Sequence, residues 1–103
     1  MSLLWLHLLY GMTRIMTPTP EEPQTRLLCL RVLAELDPSV LPRVLAYFQN
    51  LNIIPRRVTA ERSSSPALHI RVDVAGLAEE RMSLIAARIG QLPGIGHAFW
   101  HRL

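Results

Sequence analysis

The side chains best suited to acid–base work or metal binding are four histidines, His7, His69, His97 and His101. His97 and His101 stand four apart in an extended segment. They share a strand face there but sit too far apart to co-ligate one ion, though His69 could join them from a neighbouring strand. Ser63, Ser64 and Ser65 have no adjacent base and lie in a turn-forming stretch, a poor setting for a nucleophile. Glu79 and Glu80 open a helical segment, where they complement its dipole. Glu35 and Asp37 flank a corner and could do the same or contact a ligand. LPGIG (92–96) has a turn's composition and lacks the Lys-Ser/Thr continuation of a phosphate loop. Cys29 is the single cysteine, which excludes an internal disulfide and a CxxC site and fits a reducing cytosol. No catalytic constellation emerges. The chain is expected to be a non-enzyme with no metal and no cofactor of its own, in the cytoplasm.

The elements that position these residues must come from one domain, because 103 residues cannot supply two cores. Half the residues are hydrophobic, more than so small an interior can hide, so a buried or oligomeric face is expected. All eleven basic residues are arginine, a type suited to planar recognition of carboxylates and phosphates, although compositional bias explains it more simply. The net charge of +3 permits nucleic-acid binding without suggesting it, since acids are interspersed throughout.

MSLLWLHLLYGM at the start is apolar but too short to span a bilayer, and it lacks the flanks of a secretory signal. It reads as an extension that packs on a partner or, preferably, as residues upstream of a start at Met12 or Met16. TPTPEEPQ follows as an extended linker, so residues 1–24 form an extension and residues 25–103 the folded domain. RLLCLRVLA (26–34) alternates as a strand, with Leu28, Leu30, Val32 and Ala34 on one face. Leu27, Cys29, Arg31 and Leu33 form the other, which is too apolar for open water. Residues 39–50 repeat as a helix through Val40, Leu41, Val44, Leu45 and Phe48. Pro42 is tolerated only in the first turn, which sets the N-cap at Pro38 or, better, Ser39. Asn50 and Asn52 turn the chain out.

Pro55 cannot donate to a ladder, so 53–62 is an edge strand or begins after Pro55. SSSP (63–66) is a turn. LHIRVDV (68–74) is a strand with Leu68, Ile70, Val72 and Val74 inward and His69, Arg71 and Asp73 outward. Residues 78–91 form a second helix with Met82, Ile85, Ala86 and Ile89 packed down. LPGIG breaks it and IGHAFWHRL closes the chain as a strand. The order βαββαβ predicts an α+β, ferredoxin-like fold: a four-stranded antiparallel sheet with both helices on one face.

The uncovered sheet face allows two uses. RNA-recognition domains share this order, but they stack bases on aromatics of the central strands, and neither central strand here carries one. The other use is an interaction surface or dimer contact, with interface candidates Leu27, Cys29, Leu33, Arg56 and Arg57 and with Trp100 or Phe99 near the rim.

The succession LDPSVLPRVLAYF, RRVTAER, LHIRVDV and IGQLPGIGHAF resembles an ACT domain over residues 25–103, and in particular the short regulatory subunits of acetolactate synthase. The resemblance implies a non-catalytic homodimer whose sheets join into one. It implies that this dimer binds and activates a thiamine-dependent catalytic subunit of branched-chain amino-acid synthesis. In such domains an amino-acid effector lies between the loop into the first helix and a partner's strand, which makes Leu36, Asp37, Pro38, Ser39, Val40 and Leu41 the candidate effector loop. Effector-binding members carry an asparagine and a glycine where this chain has Leu36 and Ser39. Leu36 supplies no amide, and Ser39 adds a side chain where a ligand needs close backbone approach. The expectation is activation with weak or no valine feedback, without nucleic acid or membrane as partner. A free-standing ACT-like sensor of another metabolic enzyme is the alternative reading, and RNA binding is a more distant one.

Overall fold

The computed structural model describes residues 26–63 and 66–103. The apolar start, the proline-rich stretch, Thr25 and two serines of the SSSP turn lie outside them. Six elements follow in order: β1 (Leu27–Glu35), α1 (Val40–Asn50), β2 (Arg57–Arg62), β3 (Ala67–Ala75), α2 (Glu79–Ile89) and β4 (Ile95–Arg102). All pairings are antiparallel and the sheet runs β2-β3-β1-β4, the ferredoxin-like order.

Alternation decides which face each strand buries. Leu28, Leu30, Val32 and Ala34 of β1 and Ile70, Val72 and Val74 of β3 enter one core with Val40, Val44 and Phe48 of α1 and Met82, Ile85, Ala86 and Ile89 of α2. The stripe expected of α2 is the buried set found. Pro42 occupies the third helical position of α1, where its missing N–H costs nothing. Asn52 leaves that helix at φ +60°. β2 starts at Arg57, beyond Pro55, and forms one edge of the sheet.

The register lays the face opposite the helices out in rows. Arg57, Asp73, Cys29 and His101 form one row, Thr59, Arg71, Arg31 and Phe99 the next, and Glu61, His69, Leu33 and His97 the third. Three sequence expectations change here. Trp100 pairs with Leu30 and so lies on the helix side, where its Nε1 donates to Ser83 Oγ at 2.8 Å; only Phe99 is on the open face. His69 is not on a strand next to His97 and His101, because β1 intervenes. Asp73 faces outward in register yet is only 5% exposed.

Candidate functional site

The corner between β1 and α1 is built from its own polar groups. Asp37 N–H donates to Glu35 O at 2.9 Å and Val40 N–H to Asp37 O at 3.1 Å. The Asp37 carboxylate accepts from both Ser39 N–H and Ser39 Oγ, each at 2.8 Å through Oδ1. Ser39 is the N-cap residue, as expected, but its hydroxyl makes no cap bond. It is turned back onto Asp37 instead. These bonds from the Ser39 backbone and hydroxyl hold the Asp37 carboxyl below its usual pKa, with a smaller contribution from Arg43.

Arg43, four residues into the same helix, ties the corner to the turn before β4. Its Nη2 donates to Ser39 Oγ at 3.0 Å and its Nη1 to Pro93 O at 2.6 Å. Glu35 N–H adds a bond to Gly94 O at 2.9 Å. Gly94 sits at φ +85°, and a Cβ there would come within 3.1 Å of Val40 Cγ2. The two loops are therefore packed against each other.

Against this geometry the six candidate effector residues separate. Leu36, Asp37 and Pro38 come together with Arg62 and Leu68 around a shallow depression. Ser39 is consumed by Asp37 and Arg43. Val40 is buried in the core and half-buried Leu41 packs against it, so neither is among the residues around this depression; the burial period of α1 takes both inward. Arg43, Arg62 and Leu68 were not among the candidates. The four-residue spacing from Ser39 to Arg43 is a helical signal that reveals one of them. The other two depend on the strand register.

Among the interface candidates, Leu33 is 39% exposed on the open face and Leu27 half-buried, while Arg56 and Arg57 are exposed at the start of β2. Cys29 is a correction, since it is wholly buried and offers no contact surface. It is a small side chain flanked in its row by Asp73 and His101. Burial, followed by the neighbouring Asp73 carboxylate, pushes its thiol pKa up. Burial also acts to raise Asp73, but the hydrogen bonds from Arg71, the neighbouring Cys29 thiol and the charges of Arg71 and Arg57 outweigh it and hold this carboxyl low. Arg71 grips it through Nε at 2.9 Å and Nη2 at 3.2 Å. Among the described residues no three of His, Cys, Asp and Glu gather where they could hold a metal ion. No helix there is long and apolar enough to cross a membrane.

Comparison with known proteins now supplies the class. Residues 22–97 match the ACT-like domain family, and the chain belongs to that family. The fold resembles that of the C-terminal domain of the MgtC protein from Mycobacterium tuberculosis (14% identity, 82% of this chain and 94% of that one, TM-score 0.64). It also resembles the ACT domain of GTP pyrophosphokinase from Chlorobium tepidum (9% identity, 75% and 96% covered, TM-score 0.60). A homoserine dehydrogenase from Thiobacillus denitrificans shares it at 20% identity over 85% of this chain and 20% of the enzyme (TM-score 0.61). No curated protein matches the sequence.

Proposed function

We propose that this chain is a non-catalytic ACT-like subunit that acts by binding a metabolic enzyme, and that the enzyme is a thiamine-dependent acetolactate synthase catalytic subunit of branched-chain amino-acid synthesis, which it activates. Family membership supports the regulatory reading. The specific partner rests on the resemblance of LDPSVLPRVLAYF and LPGIG to the short subunits of that enzyme. The physical content is a partner with two states, biased because the subunit binds one more tightly.

The observation that carries the weak-feedback part is that the centre of the corner already uses its own N–H groups. An amino-acid effector needs backbone N–H groups for its carboxylate. Here the N–H groups of Asp37, Ser39 and Val40 are already bonded and Pro38 has none. Arg62 offers a charge at the depression, but on an exposed, flexible side chain. Titration calorimetry with valine is expected to show no heat at millimolar concentration; micromolar binding overturns this part. Replacing Leu36→Asn and Ser39→Gly together is expected to bring valine binding into the measurable range, read by the same titration.

Co-expression with a thiamine-dependent large subunit tests the partner. A stable complex with raised acetolactate synthase activity is expected, and absence of a complex overturns the assignment. Capture of a different metabolic enzyme favours a free-standing ACT-like module instead, a reading supported by the occurrence of this fold within a homoserine dehydrogenase.

A further inference from the structure

The open sheet face carries a charge arrangement that the fold alone does not require. Arg31 and Arg71 are directly opposite each other on the two central strands, a register in which like charges destabilise a sheet. Each turns to another partner, Arg71 to Asp73 on its own strand and Arg31 to His101 on β4. Arg71 is neutralised by Asp73, whereas Arg31 donates through Nε to His101 Nε2 at 2.9 Å and meets only an imidazole. Among the described residues Arg31 has no carboxylate partner, whereas Arg57 stands opposite Asp73 and shares that carboxylate's charge with Arg71. Phe99, 45% exposed, shares the row of the arginine pair, and Leu33 lies next along β1. These groups surround a concavity of about 380 Å³, with Glu61 as the acid on its far rim. Local rules broken at an exposed surface point to use.

We infer that this face docks an acidic segment of the partner enzyme. A carboxylate on that segment meets Arg31, and an apolar side chain beside it covers Phe99 and Leu33. A guanidinium without a carboxylate partner is suited to carboxylate capture. An aromatic and a leucine beside it supply the dry centre that such a contact needs. The inference rests on the reading that the chain acts through a catalytic subunit, and it identifies the surface that does so.

The test uses the full chain and the catalytic subunit that co-purifies with it. The variant Arg31→Glu is expected to bind about tenfold more weakly, with a flatter salt dependence. A charge-matched control on the helix layer, Arg81→Glu, is expected to bind as the parent does. Arg31→Gln, with its thermal unfolding measured alongside, keeps the test valid if the charge reversal impairs folding; about fivefold weakening is expected there. Unchanged affinity in a folded Arg31 variant overturns the docking face while leaving the functional reading intact. A parent chain that binds no catalytic subunit overturns both. Binding of single-stranded RNA through the same arginine replaces the acidic protein segment with another partner class, and so overturns the inference too.

Discussion

Asp73 shows how much one side chain can hold together. It is a carboxylate at the centre of a sheet, nearly inaccessible, with Arg71 bonded to both oxygens and the Cys29 thiol opposite. Removing it leaves Arg71 facing Arg31 without compensation. Asp73→Ala is expected to cost about 1–3 kcal/mol, less than a fully buried pair because Arg71 remains partly hydrated, and chemical denaturation measures it. The sign of the pH dependence follows from the depressed folded-state pKa. Stability from this group is complete above the unfolded carboxyl value of about 3.9 and is lost as pH falls through the lower folded value. Asp37 and Glu79 are depressed in the same direction, Glu79 chiefly by its hydrogen bonds from Arg102. The parent is therefore expected to lose stability on acidification below about pH 4. Asp73→Asn is expected to show a shallower loss in denaturation curves taken between neutral pH and pH 3.

At the scale of elements, the turn before β4 and the corner before α1 form one unit joined by Arg43, with Gly94 at their contact. Gly94→Ala combines a strained positive φ with a Cβ pressed on Val40, and a loss of about 1–3 kcal/mol is expected in thermal or urea unfolding. Much of this architecture was legible beforehand. Pro42 and Pro55 placed the start of α1 and the start of β2 because proline restricts the backbone locally. The four inward residues of α2 were readable because helical period is a local property. The contact of Arg43 with Pro93 spans fifty residues, and nothing in the local pattern announces it. Alternation assigned Cys29 and Asp73 to the open face correctly, but it cannot say which outward residues their neighbours cover. Trp100 was ambiguous for the same reason until the pairing with β1 was known.

For the molecule as a whole, β2 is an exposed edge, and the expected homodimer is one in which two such edges join the sheets. An antiparallel pairing centred on Thr59 sets Arg57 against the partner's Glu61 and Thr59 against the partner's Thr59, both favourable cross-strand pairs. Arg56 with the partner's Arg62 is the repulsive pair, at the strand ends. Beside this edge lies an apolar groove with Leu45, Ile53 and Val58, and Ile54 is 88% exposed there. Arg57→Glu is expected to shift the chain toward monomer in sedimentation experiments, and adding Glu61→Arg to restore the dimer. Retention of the dimer in the single variant argues for a different contact.

Cys29 gives the chain a built-in clock. It is the single thiol, fully buried on a strand that is paired on both sides, and its pKa is raised. Alkylating reagents attack the thiolate, so a group that is both protonated and inaccessible reacts only when the central strands separate. Its labelling rate under native conditions therefore reports the frequency of that opening without any engineered probe. A partner seated across the open face should slow the clock, and a partner at the β2 edge alone should leave it nearly unchanged.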